Sequence, residues 1–266
     1  MEIATRDLNT KEMGPYQLWR SNQGWRSRIG VIFPGPGWHH IGDFYKLRPE
    51  GVCVGGINVP RHKNESVEEM LKLDEQVVSK VKEFLSYSVD VILWNCTAGS
   101  FLKGKNHDAE LIKQMEEATN NTVICTSTST SLCEAFNFMN VKKLAICTPY
   151  PNEANVMEKE YFQDHGFDVV NCIGLDLIDN NILANLSPSV LYRLGRAADT
   201  PDADAVFISC TGLDALDVID ALESDLGKPV FTSNQAAYWN AFRLARIGDP
   251  VEGYGSLMRA NRIKGK

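Results

Sequence analysis

Two stretches, VILWNCTAGS at 91–100 and VFISCTGLD at 206–214, each carry an apolar run that ends in Cys-Thr. The two cysteines, Cys96 and Cys210, are 210 − 96 = 114 residues apart. Pro34 and Pro149 close the apolar runs VIFP and AICTP at a separation of 149 − 34 = 115. Thr126-Ser127 and Thr232-Ser233 end two further runs, offset by 232 − 126 = 106. Three strand-end features thus recur in the same order at nearly one spacing, and two similar lobes facing each other satisfy that constraint most economically.

The rest of the chain agrees with such a repeat. Short β-rich runs at 28–33, 51–59, 89–94, 122–127, 143–148, 167–175, 204–210 and 228–233 alternate with helical patterns. The helices are expected at 65–87, 107–119, 131–139, 152–164, 188–198, 213–225 and 235–246. Strands without strict polar alternation, separated by helices, indicate parallel sheets covered on both faces. The fold class is therefore α/β, with two pseudo-symmetric lobes, each a parallel sheet flanked by helices, and a cleft between them. The expected divisions are an arm at 1–27 with a helical pattern around Tyr16–Trp19, lobes at 28–126 and 127–234, and a C-terminal helix and tail at 235–266. That last segment is expected to pack back on the first lobe.

Charge and cysteine usage narrow the function. A net charge of −7 argues against a nucleic-acid partner, which calls for a basic face. No apolar run approaches the ~18 residues of a membrane span, and the first residues lack a signal-peptide pattern. The expectation is a cytoplasmic protein with reduced thiols. Seven cysteines without a close C-x-x-C pair point away from a disulfide framework and from zinc. FPGPGW lacks the third glycine of a dinucleotide fingerprint. The adjacent His39 and His40 lack the i,i+4 spacing of a metal pair and are expected in a loop bordering the cleft.

Ligands of open α/β sheets bind outside the carboxyl ends of the strands, where Cys96 and Cys210 both fall. Either cysteine alone reads as a small buried residue as readily as a displayed nucleophile. As a pair in matching contexts, they suit a thiol on each wall of a shared cleft: proton removal on one face and return on the other, or addition, rotation and elimination. The turn N–H groups and following helix N-termini are expected to lower a thiol pKa or to hold a carboxylate.

Through WNCTAGSF, DAELIKQMEEAT, CTPYPNE, ISCTGL and the C-terminal YWNAFRLA and GYGSLM, the chain resembles the Asp/Glu/hydantoin racemase superfamily. Within it, the resemblance is to the branch of maleate cis–trans isomerases and arylmalonate decarboxylases, over roughly residues 28–258. It implies two pseudo-symmetric lobes, a homodimer, a small mono- or dicarboxylate substrate, and no metal or organic cofactor. It also implies Cys96 as nucleophile or base and Cys210 as the opposing acid. Tyr150 would hold a substrate carboxylate. Thr97, Ala98, Thr211 and Gly212 would form oxyanion pockets, with Asn181 contacting substrate and Pro34 and Gly35 lining the site. Two departures matter. Pro34-Gly35-Pro36-Gly37 stands where the isomerases carry an asparagine, and the decarboxylases have glycine at the Cys96 position. The expected function is a cofactor-independent isomerase or racemase. Decarboxylation of substituted malonates, or carboxylate binding without catalysis, are the alternatives.

Overall fold

The computed structural model describes residues 22–61 and 64–263; the helical reading at Tyr16–Trp19 lies outside them. Eight strands form two four-stranded sheets: β1 (Ser27–Pro34), β2 (Val52–Val59), β3 (Val91–Trp94) and β4 (Ile124–Ser127), then β5 (Lys143–Thr148), β6 (Asp168–Gly174), β7 (Ala205–Ile208) and β8 (Val230–Thr232). The orders are β2-β1-β3-β4 and β6-β5-β7-β8. Every pairing is parallel. The α/β class and the doubled unit expected from the repeat are what the chain forms.

The central strands show why the sequence patterns read as they do. All four residues of β3 and all four of β7 are buried, so each must be apolar on both faces. In each sheet the strand order reverses beside the first strand of the lobe, between β1 and β3 and between β5 and β7. That switch point opens a crevice at the strands' carboxyl ends. Pro34 ends β1 and Cys96 follows β3; Tyr150 follows β5 and Cys210 follows β7.

Helix Thr128–Phe138 and helix Ser233–Leu244 leave the last strand of each sheet and pack against one another. Their starts explain the recurring Thr-Ser pairs. Ser127 caps the first helix by accepting from the Thr130 N–H. Thr232 caps the second in a reciprocal capping box with Gln235. Helix Ser233–Leu244 also lies against helix Trp38–Leu47 and β3, and its residues 233–242 are all buried. In the second lobe Phe136 meets the rings of Phe162, Phe167, Phe207 and Phe231 at 5.0–5.8 Å.

Two expectations of secondary structure are corrected. The helix expected over 65–87 breaks into Val67–Met70, Val77–Val81 and a 3-10 turn at Lys82–Ser86. Between the first two, Asp74 is buried, with Lys103 Nζ at 2.7 Å and His107 Nε2 at 2.5 Å from its carboxylate. Helix Trp38–Leu47 was not expected. Its buried face is His40, Asp43, Phe44 and Leu47, while Trp38 and Tyr45 are exposed. Polar residues inside and aromatics outside conceal the helical period.

Candidate active site

Each thiol is set by its own turn. Cys96 caps helix Thr97–Phe101, with the Gly99 N–H donating to its Sγ at 3.3 Å. A Cβ at Gly99 would stand 2.7 Å from the Trp94 ring and 3.2 Å from the Cys96 sulfur, so only glycine lets this turn close over the tryptophan. Thr97 and Ala98, in the first turn, have N–H groups without intrahelical partners. In the second lobe Cys210 adopts φ 100°, a region costly for a residue with a side chain and found chiefly at functional sites. The Gly212 N–H donates to its Sγ at 3.3 Å.

One residue joins the two turns. Ser233 Oγ accepts from the Thr97 hydroxyl at 2.9 Å and from the Cys210 N–H at 3.1 Å. Behind it, Asn234 Nδ2 donates to the Thr211 carbonyl (3.0 Å) and to Asp43 Oδ2 (2.7 Å). Its Oδ1 accepts from Asn95 at 3.1 Å. Asn234 thus holds the residue before Cys96 and the residue after Cys210 in one network. Asn234→Ala would orphan several of these buried groups, at about 1–3 kcal/mol each. Urea denaturation is expected to show that loss as a lower midpoint with an unchanged slope; an unchanged midpoint would mean the network carries no stability.

Cys96, Cys210, Thr97, Ala98, Tyr150, Thr211 and Pro34 all line one inner cavity, joined by Arg61, Glu65 and Leu73. Its volume is about 10 Å³, roughly room for a single water. Tyr150 shares the cavity wall with Cys210 and helps to lower that thiol, and burial pushes the tyrosine itself well above its ordinary range. It is therefore a neutral donor. Thr97 faces the cavity while its hydroxyl is engaged by Ser233, which leaves its N–H as the group it offers.

The thiols are not activated in this state. Burial pushes Cys96 up to about 12, against the opposing pull of the Gly99 N–H and of Arg61. Burial, with Glu65 adding to it, pushes Cys210 up to about 11, opposed by Arg61, the Gly212 N–H and Tyr150. The turn N–H groups act in the expected direction, but the loss of solvent outweighs them. At 4% and 8% exposure, both thiols are also shielded from reagents. Limited iodoacetamide is therefore expected to modify the half-buried Cys53 before either. Peptide mass spectrometry checks the order, and earlier labelling at Cys96 or Cys210 would mean that the N–H groups outweigh burial.

A second cavity, of about 270 Å³, adjoins through shared residues Pro34 and Arg61. Asn181, Gly212, His39 and His40 lie on this outer wall, so Asn181 is not beside the thiols. His39 Nε2 is 3.1 Å from the Ala184 carbonyl. His40 is driven down to about 3 by burial, by Arg61 and by His39, and is neutral. Gly35 lies on neither wall; its place is behind Arg61, where a Cβ would come within 3.3 Å. Among the described residues no cluster of three or more His, Cys, Asp or Glu is placed to hold a metal, and no helix is long and apolar enough to cross a membrane.

Sequence reasoning missed Arg61, Glu65, Ser233 and Asn234. Arg61 lies in the polar link before the helix expected at 65–87, and Glu65 reads only as that helix's first residue. The Thr232-Ser233 repeat did carry a signal, since it marked the helix start from which Ser233 reaches both turns.

A sequence model of the arylmalonate decarboxylase family matches residues 53–258. Arylmalonate decarboxylase of Bordetella bronchiseptica is 31% identical over 233 residues, covering 86% of this chain and 95% of that protein. Maleate isomerase of Pseudomonas putida is 26% identical over 216 residues, 80% of this chain and 86% of that protein. The crystal structure of a glycine-to-cysteine, cysteine-to-serine double mutant of arylmalonate decarboxylase in its liganded form superposes with a TM-score of 0.81. It is 27% identical and covers 87% of this chain and 98% of its own.

Proposed function

The chain belongs to the arylmalonate decarboxylase family, in the Asp/Glu racemase superfamily, and from that premise we propose that it is a cofactor-independent isomerase or racemase of a small carboxylate. The observation that carries this reading is the presence of two thiols, from equivalent turns of two lobes, on the wall of a single cavity. A one-thiol decarboxylase has no use for the second.

In a cis–trans isomerisation, the Cys96 thiolate adds to one alkene carbon of an unsaturated diacid. The S–C bond forms as the π pair moves onto the carboxylate conjugated with the other carbon. The former double bond, now single, rotates; the electron pair returns and expels the thiolate. Cys210 stabilises the enediolate by proton donation and takes that proton back. In a racemisation, one thiolate removes the α-proton and the other thiol delivers one from the opposite face. The N–H groups of Thr97, Ala98 and Thr211 and the Tyr150 hydroxyl supply donors to the enediolate oxygens. A thiol must first lose its proton, and Arg61 is the cation that favours this at both sulfurs.

Decarboxylation of substituted malonates is the second reading. It is favoured by the match to the decarboxylase family and by the Pro34–Gly37 loop. Proton NMR in deuterium oxide over a panel of maleate, 2-substituted acids and aryl- or alkylmalonates separates the two. Geometric isomerisation, or α-deuteration with loss of optical activity, is the expected result. Carbon dioxide release from malonates with neither of those would transfer the assignment to the second reading.

A further inference from the structure

Among the described residues Arg61 is the one strong cation lining the thiol cavity, and the proposed reaction assigns it no substrate contact. Its side chain is 23% exposed and lines both cavities. Cβ positions at Gly35 and Gly212 flank it, the first 3.3 Å from its Cβ and Cδ and the second 3.9 Å from Nη1. The side chain therefore runs from the first-lobe loop, and its guanidinium ends at the turn that carries Cys210.

A guanidinium has five N–H donors. Nε donates to Asn180 Oδ1 at 3.1 Å, and Nη2 donates to Glu65. Among the described residues that leaves three donors unused, including both on Nη1, the atom nearest the Cys210 turn. Charge is handled differently from hydrogen bonding. Glu65 offsets the positive charge, and it also raises both thiols where Arg61 lowers them. The planar fork matches a carboxylate in a way that an ammonium does not.

We propose that Arg61 is the specificity-determining residue of this site, its Nη1 edge taking a second carboxylate of the substrate where Arg61 lines both cavities. This rests on the carboxylate reading above and names what selects among carboxylates. The reacting carboxylate lies among the turn N–H groups of the inner cavity, and the distal one lies on Arg61. Glu65 tempers the affinity, because its charge opposes the incoming anion while its hydrogen bond orients the guanidinium.

The test uses saturated acids, which cannot turn over: binding of succinate and of butyrate, by calorimetry or ligand-observed NMR. The wild type is expected to prefer succinate by about 10-fold or more, the scale of a charge-assisted hydrogen bond. Arg61→Met should erase that preference, and Arg61→Lys, which keeps the charge but not the fork, should keep part of it. Glu65→Gln should tighten succinate several-fold, a gain that a damaged fold does not produce. Retention of the full preference in Arg61→Met, or loss of affinity in Glu65→Gln, overturns the role of Arg61 and leaves the carboxylate reading standing. A wild type that binds neither acid overturns both.

Discussion

Cys96→Ala and Cys210→Ala are each expected to lower isomerase or racemase turnover by about 10²–10⁴-fold, the usual share of a positioned acid or base. The reason is geometric. A planar intermediate has two faces, and the cavity presents one thiol from each lobe. Neither can act for the other without turning the substrate over between them. A decarboxylase would divide the variants: Cys96→Gly should leave malonate turnover nearly intact, and Cys210→Ala should abolish it. Cys210→Gly adds a control for folding. At φ 100° glycine carries no steric penalty, so this variant should be as stable as the wild type or more so while remaining inactive. Rates of both substrate types on all four variants, with thermal melts alongside, check the set. Activity in Cys210→Gly, or carbon dioxide release indifferent to Cys96, would remove the two-thiol mechanism.

Glu158→Gln is expected to flatten the dependence of stability on pH between 6 and 9. Glu158 is fully buried; its Oε1 accepts from the Ser209 hydroxyl at 2.5 Å, and its Oε2 has no partner among the described residues. Burial pushes its carboxyl up to about 8 from 4.5, only partly countered by Ser209. Because the folded pKa is raised, the protonated acid is the form the fold favours. Its contribution is fully present below about pH 4.5, where both states are protonated, and is lost as pH rises through 8. A shift of that size corresponds to about 3–5 kcal/mol. Asp43, raised to about 7 by burial, acts in the same direction but is common to both proteins. Urea unfolding of wild type and variant at pH 6 and pH 9 therefore isolates Glu158 as the difference between two slopes. Equal slopes would mean that the carboxylate is already ionised in the folded protein. Ser209 immediately precedes Cys210, so the same titration bears on how firmly that turn is held.

The amino-acid order alone determined what is carried by near neighbours and by periodic pattern. Eight apolar runs, each ended by turn residues, sufficed to locate all eight strands, and three recurring strand ends sufficed to reveal the doubled lobe. A central parallel strand must be apolar throughout, so β3 and β7 are legible however the rest of the chain folds. The strand-end rule then brought Cys96 and Cys210 to the crevice, and the family resemblance added Tyr150 and Pro34. What only the tertiary structure decided depends on groups far apart along the chain. Asn234 meets Asn95 across 139 residues and Asp43 across 191. Arg61 meets Asn180 across 119, and no neighbour in sequence marks Arg61 or Glu65 as part of the cavity wall. Helix Trp38–Leu47 turns Asp43 inward because Asn234 is there to meet it. The thiols follow the same division: local N–H donors predicted lowered pKa values, and the depth of burial reversed the sign. Hydrogen bonds within a turn are written into three or four consecutive residues, whereas desolvation is set by every segment that packs over the turn.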